Sequence, residues 1–206
     1  MQSPSSPASP SASSPDQDTA AIITVAATEK ERAAVRAFLT GQFGAEASRV
    51  IPSLDDDKFF ASTVLQAATP TGKIIGTIVT RRSPMAVAYY TSVGQGLEPV
   101  DYELELERVS YLDIMAVAPG ERRRGVGTAL IAALEERLRA AGVKIWFGGI
   151  GNTPESVPVA DYFQNRGFQV LAPGNLLPSF LGRRWTLPHS PQPRVWFYKQ
   201  LKAAAK

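Results

Sequence analysis

Cysteine is absent from this chain. Disulfides, thiolate metal sites and a cysteine nucleophile are excluded together. Histidine occurs once, as His189, set between Pro188 and Ser190-Pro191. A histidine-rich metal site therefore has no material, and a serine–histidine triad would have to draw on a proline-flanked loop. No metal is expected. No apolar run reaches membrane-spanning length, and the first residues lack the basic start and apolar stretch of a secretory signal. Arginine is missing before Arg32, against a transit peptide. Charge of one sign is also scarce: 22 basic against 19 acidic residues leave a net +3, too mild to argue for nucleic acid. The expectation is a cytoplasmic protein with neither a nucleic-acid nor a membrane partner. At 206 residues there is room for one domain. Residues 1–15 are mostly serine and proline, which cannot build a core, so 1–18 are expected to be a disordered tail and 19–202 the domain.

Within the domain the signals alternate between strand and helix. Ile22, Ile23, Thr24 and Val25 predict a first strand. Thr28 with Glu31 three residues on is a capping box, opening a helix lined by Val35, Phe38 and Leu39 and ended at Gly41 or Gly44. Ser53, Leu54 and Asp55 to Asp57 predict a further helix start, with acids at the positive end of its dipole. Residues 64–68 and 74–80, joined through Pro70-Thr71-Gly72, predict a hairpin. Residues 83–101 carry Pro84, Gly94, Gly96 and Pro99 and read as a long connection. Residues 101–109 predict a strand hairpinned to the next one, with Glu103, Glu105 and Glu107 on one face. That face is either a solvated surface or an acidic rim that attracts a cationic amine. Residues 173–193, rich in proline, are expected to close over one side before a final strand at 194–201.

The most informative stretch runs from Tyr111 to Gly127. Residues 111–118 are apolar on both faces except at Asp113, as in a central strand covered on both sides. Pro119-Gly120 ends it. Then come Arg122, Arg123 and Arg124, and Gly125-Val126-Gly127 opens a helix in which Val126, Leu130, Leu134 and Leu138 recur at helical spacing. Gly142 supplies the stop, with Arg137 and Arg139 at the negative end of the dipole. A helix start with free backbone N–H groups, entered through arginines and glycines, is an anion site of the kind that holds a pyrophosphate. Two other glycine-loop readings fail on spacing. A dinucleotide fingerprint needs a third glycine where Leu130 stands, and a P-loop needs Gly-Lys-Ser/Thr.

Residues 111–127 resemble the GNAT superfamily of acyl-coenzyme A N-acyltransferases. Its signature, Gln/Arg-x-x-Gly-x-Gly/Ala after a strand ending in apolar-Val-x-Pro, reads here Arg122-Arg123-Arg124-Gly125-Val126-Gly127 after Ala116-Val117-Ala118-Pro119. The resemblance continues through Lys144 to Phe147, Asn152, and residues 160–168, which match the family's helix ending in Gly-Phe. It covers roughly residues 110–170. It implies an α/β fold of the α+β kind: one mixed, mostly antiparallel central sheet with flanking helices and a splayed parallel strand pair at the cofactor site.

The resemblance also implies acetyl-CoA as cosubstrate. Its pyrophosphate would lie on Gly125, Val126, Gly127 and Thr128 beside Arg122, Arg123 and Arg124. Its pantetheine arm would pair with main chain at Met115, Ala116 and Val117, with Asn152 and Phe163 completing the set. Gly148, Gly149 and Gly151 suit close backbone approach or are a plain loop. The implied activity is transfer of acetyl to a primary amine, small molecule or peptide, by direct attack without a covalent enzyme intermediate. A non-catalytic coenzyme A-binding module is the alternative, and a homodimer is compatible with either. The family often places a tyrosine four residues before the Gly of Gly-Phe as acid. Phe163 stands there, and Tyr162, one place earlier, is the candidate, with core packing as its other reading. For the base, Asp113 is the one carboxylate in its strand, and a desolvated carboxylate makes a better base. It could equally be paired with an arginine for structural reasons. Glu107 is the rim carboxylate nearest that strand.

Overall fold

Thr28 caps the first helix in the computed structural model, which describes residues 21–82, 107–151, 157–180 and 194–202. Its hydroxyl accepts from the Glu31 N–H at 3.2 Å, and the Glu31 carboxylate accepts from the Thr28 N–H at 2.8 Å. The helix, α1 (Glu29–Phe43), ends where Gly44 takes a positive φ. A four-residue turn of helix follows, α2 (Ala45–Ser48). Arg32 on the inner face of α1 is 4% exposed, donates to the Pro52 carbonyl at 3.1 Å and pairs with Asp57. The helix expected to start at Ser53, whose extent the sequence leaves open before the β-branched Thr63-Val64, is short. Ser53 caps Asp56, but α3 (Asp57–Phe60) is one turn long and stops at Ala61, whose φ is 43°. Asp57 accepts the N–H of Ser62, so the chain turns toward the sheet there.

The predicted strand and hairpin form β1 (Ile22–Val25), β2 (Thr63–Ala68) and β3 (Ile74–Arg82). Then come β4 (Val109–Val117), α4 (Val126–Ala140), β5 (Ile145–Gly151), α5 (Val157–Gln164), β6 (Gln169–Val170) and β7 (Arg194–Gln200). The described strands make one mixed sheet in the order β1-β2-β3-β4-β5-β7-β6. Every neighbouring pair is antiparallel except β4 with β5.

The strand expected at 101–109 needs correction at its C-terminal end. Residues 101–106 lie outside the described residues. Glu107 and Arg108 form a helical turn, and the strand opens at Val109. A hairpin into residues 111–118 has no free edge at its turn, because β3 occupies one side of residues 110–112 and β5 the other. The expected tail at 1–18 and most of the loops at 83–101 and 173–193 likewise fall outside the described residues.

Two glycines close helices as read. At Gly142, φ 83°, the Val143 N–H reaches back to the Leu138 carbonyl and the Gly142 N–H to that of Arg139. At Gly167, φ 79°, Phe168 and Gly167 make the same bonds to Phe163 and Gln164. Both are the paired 6→1 and 5→2 closure of a left-handed helix end.

Three apolar clusters sandwich the sheet. Leu130, Leu134 and Leu138 of α4 pack with Leu65, Ile78 and Leu112 on one face, where Phe163, Phe168 and Phe197 join them. Val35 and Leu39 of α1 cover Val64, Val79 and Ala116 on the other. Beside α1, Leu177 and Phe180 cover Tyr111, Phe147 and Tyr198. At Gly76 a Cβ would stand 3.0 Å from Val126 and 3.1 Å from Leu130. The missing side chain lets the first turns of α4 lie flat on β3.

Candidate functional site

The inward–outward alternation of β4 slips by one residue at Asp113. Opposite β3, Val79 faces Ile114 and Thr80 faces Leu112, so Asp113 is an extra residue, a β-bulge. Before the bulge Leu112 faces the α4 side, and after it Met115 and Val117 do, while Ala116 faces α1. Bulges of this kind bend a strand and increase its local twist. β4 parts from its parallel neighbour at the same place. The pairing runs from Val109↔Ile145 to Leu112↔Gly148 and stops. Beyond it β4 stays with β3 up to Val117, and β5 stays with β7 up to Gly151. The two strands open as a V with its closed end at Leu112 and Gly148. The edge of residues 114–117 that faces β5 has no strand partner among the described residues, and spans about 10 Å at ~3.3 Å per residue. Gly148 and Gly149 therefore sit in β5 itself, at and just past the point of divergence, rather than in a loop.

Above the open end lies the arginine turn. A short 3-10 turn (Pro119–Glu121) follows β4, and Arg122 then reaches back to donate to the Val117 carbonyl at 3.2 Å. Arg123 has φ 64° and Gly125 φ 85°, with Arg124 between them. Alternating hands of this kind turn successive backbone N–H groups toward one concavity. All three arginines are exposed, and Arg124 pairs with Glu121 at 3.1 Å. At Gly125 no side chain caps α4, and no acid occupies its first turn. The N–H groups of Val126, Gly127 and Thr128 thus point out with the helix dipole behind them.

Tyr162 on α5 closes the far side. Its hydroxyl is sealed from solvent without a well-aligned partner, and stands 2.7 Å from where a Gly127 Cβ would be. Val117 is 3.6 Å from the same point. Burial raises the Tyr162 pKa, against the Arg166 charge and bonding to Thr128 and Arg166, so the hydroxyl is neutral and able to donate. Arg166, one helical turn on, lies over the Tyr162 ring at 3.5 Å. It also donates to the Tyr162 carbonyl at 2.8 Å and to the Thr128 hydroxyl at 2.5 Å. It thereby ties the end of α5 to the start of α4. Arg166 went unnoticed in the sequence, although its i+4 spacing from an aromatic was a usable signal. Behind it, Lys199 of β7 donates to the Arg166 carbonyl at 2.8 Å and to Glu135 of α4 at 2.7 Å.

The carboxylates separate. Asp113, its side chain 7% exposed, is held in a fork by Arg81 of β3, whose Nη2 donates to Oδ1 at 3.1 Å while Nε faces Oδ2. The arginine partner left open in the sequence is therefore Arg81. Glu107 is exposed and meets Arg82 at 3.5 Å, a surface contact of little strength. Phe163 lies in the core, 3% exposed, stacked on Phe197 at 4.0 Å. Thus the structure gathers Met115, Val117, the arginines, the α4 N-terminus and Tyr162 around the open end of the V, and Asp113 at its closed end. Glu107 stands apart. Asn152, Glu103, Glu105 and His189 lie outside the described residues.

The sequence matches the acetyltransferase (GNAT) family over residues 32–168. No curated protein matches it. Among solved structures it is similar to an acetyltransferase of the GNAT family from Staphylococcus aureus Mu50, at 18% identity and TM-score 0.55, over 89% of this chain and 100% of that one. It is similar to the ribosomal-protein-S18-alanine N-acetyltransferase from Escherichia coli, at 14% identity and TM-score 0.53, over 90% and 97%. An aminoglycoside 6'-N-acetyltransferase complexed with coenzyme A is similar at 12% identity and TM-score 0.56, over 90% and 99%. At these identities the structural likeness speaks for the fold.

Proposed function

The chain belongs to the acetyltransferase (GNAT) family, and from that premise we propose that it moves an acetyl group from acetyl-CoA to the nitrogen of a primary amine by direct attack. The observation that carries this reading is the V between β4 and β5 lying under an uncapped helix start. A pyrophosphate suits the α4 N–H groups and the exposed arginines Arg122, Arg123 and Arg124. A chain of amides suits the β5-facing edge at Met115, Ala116 and Val117, which no described strand covers and which it would join as an added strand in place of the Arg122 contact to Val117. The thioester would then arrive at the closed end, beside the bulge.

In the proposed reaction the amine nitrogen attacks the thioester carbon, a C–N bond forms and the C–S bond breaks. The nitrogen loses a proton and the departing thiolate gains one. Asp113 is the acceptor proposed for the first proton, steadied by Arg81, and Glu107 is proposed to draw in a cationic amine. Tyr162 is not assigned to the sulfur, because its hydroxyl stands beside Gly127 at the open end of the V. There it is proposed to line the pyrophosphate site with Arg166 fixing its ring, and water is the donor proposed for the departing thiolate. Proximity supplies much of the acceleration in such a site. Acceptors named for the similar structures are an aminoglycoside and a ribosomal-protein alanine; for this chain we propose the amine class they share.

The test is thiol release from acetyl-CoA with polyamine, aminoglycoside, amino-acid and peptide acceptors. Release should depend on a free amine, and Asp113→Asn should lower kcat by ~10²-fold or more. Release no faster with any amine than without, while coenzyme A still binds, would leave a binding module instead.

A further inference from the structure

The closed end of the V is walled by aromatic rings rather than by a void. Gly148 forms the last rung with Leu112. The place its side chain would occupy is taken by Phe197 from β7, whose Cζ stands 2.5 Å from an ideal Cβ there. Phe163 from α5 stacks on Phe197 with centroids 4.0 Å apart and an interplanar angle of 14°. Phe168 braces both rings edge-on, at 5.3 Å from Phe163 and 5.4 Å from Phe197, and Trp146 meets Phe168 at 5.1 Å. Phe163 is 3% exposed and Phe197 1%. These rings share the α4 face of the sheet with Met115 and Val117, the side from which a substrate arm entering past the α4 N-terminus would come.

We infer that Phe163 and Phe197 set the length of the acyl group and confine it to short chains. This rests on the transfer reading above and deepens it. A stack sealed on every side has no slack, and forcing methylenes into a close-packed wall displaces rings from their rotamers. A longer acyl chain would otherwise gain from burial, so a wall is what turns that gain into rejection. The phenyl ring at 163 thus has a use that a hydroxylated ring would not serve: it stacks flat on Phe197, apolar on both faces.

The test is a ladder of acetyl-, butyryl- and hexanoyl-CoA. Calorimetry gives affinity without an acceptor, and thiol release with the best amine gives kcat/KM. The wild-type protein should favour acetyl over hexanoyl by at least ~10-fold in kcat/KM, the scale at which apolar pockets discriminate single methylenes. Phe163→Leu and Phe197→Leu should each raise the hexanoyl-to-acetyl ratio by ~10-fold or more. Phe168→Leu, a comparable core loss behind the wall, should lower stability and leave the ratio unchanged. Equal wild-type turnover of acetyl and hexanoyl would overturn the inference while leaving acyl transfer standing, and needs no variant to fold. A ratio unmoved in both Phe163→Leu and Phe197→Leu, or moved equally by Phe168→Leu, would also overturn it. Binding of all three thioesters with no transfer to any amine would overturn the functional reading, and the inference with it.

Discussion

Gly127→Ala separates the folding role of the α4 start from the binding role proposed for it. The residue occupies the second position of a helix, where alanine is intrinsically better than glycine by up to ~1 kcal/mol. The added methyl would stand 2.7 Å from the Tyr162 hydroxyl, 3.5 Å from its ring carbon and 3.6 Å from Val117. One contact is too close, and it is with the tip of a side chain. A shift of roughly 0.7 Å restores ordinary van der Waals separation, so the fold should absorb it. Melting temperature should therefore stay within about 3 °C of wild type, since ~1 kcal/mol moves a domain of this size by ~2–4 °C. Binding is another matter. The methyl rises where the proposed pyrophosphate would approach the backbone, and losing one charge-assisted bond costs ~1.5–3 kcal/mol. That is a rise of roughly 10- to 150-fold in the KM for acetyl-CoA. Adding Tyr162→Phe to Gly127→Ala should recover any stability lost to the clash but not the KM. Thermal denaturation and thiol-release kinetics read the two effects separately. An unchanged KM, or a fall in melting temperature beyond 8 °C with the KM preserved, would refute the placement of the pyrophosphate.

Gly125→Ala should do the reverse and cost ~1–2 kcal/mol, because a left-handed residue with open space around it gives alanine strain and no contact; chemical denaturation measures it. Glu135→Gln should lower stability by ~1–3 kcal/mol, since Glu135 is 7% exposed and satisfies both Lys199 and Arg139; a loss under 0.5 kcal/mol would show that the network is idle. The raised Tyr162 pKa means that the folded state holds this proton more tightly than the unfolded one. Its contribution is full below the ordinary tyrosine value near 10 and is lost as pH rises toward the folded value. The gap in stability between wild type and Tyr162→Phe should therefore shift against wild type above pH ~10, and a pH-independent gap would contradict the burial of that hydroxyl.

Much of the fold was legible because its signals are local. The capping box at Thr28, the glycine closures at 142 and 167, and the Pro-Gly end of β4 each act within a few residues of themselves. The parallel β4–β5 pair was implied by the family resemblance of residues 110–170 and not by a local signal. What escaped was set at long range. The bulge at Asp113 depends on how β3 pairs across from it, although the slip from Leu112 to Met115 and Val117 left a trace. Arg81 reaches Asp113 from 32 positions away in sequence, and Arg166 reaches Thr128 from 38. No periodicity reports such pairs. β6 has only two residues, too few for a pattern. The acids at 103–107 alternated convincingly, but alternation cannot say whether a sheet edge remains to receive them. Within the candidate site the glycines and arginines could be read from their order, whereas Phe163 could be placed only by knowing that Phe197 lies beneath it.

β7 is the last of the described strands in the sequence, yet it lies inside the sheet, between β5 and β6. During synthesis β5 therefore emerges with one edge bare, and waits for residues 194–200. At ~5–20 residues per second the interval between Gly151 and Arg194 lasts roughly 2–9 s. Throughout it the Gly148 hollow is empty and Phe163 has nothing to stack on, so neither the wall of the cleft nor the Lys199 tie to α4 exists. The proposed site is thus incomplete in the nascent chain until β7 is threaded in. An unpaired edge is also a template for association with other chains. A ribosome stalling before residue 194, or a nonsense mutation there, should yield a sticky product rather than a weak enzyme.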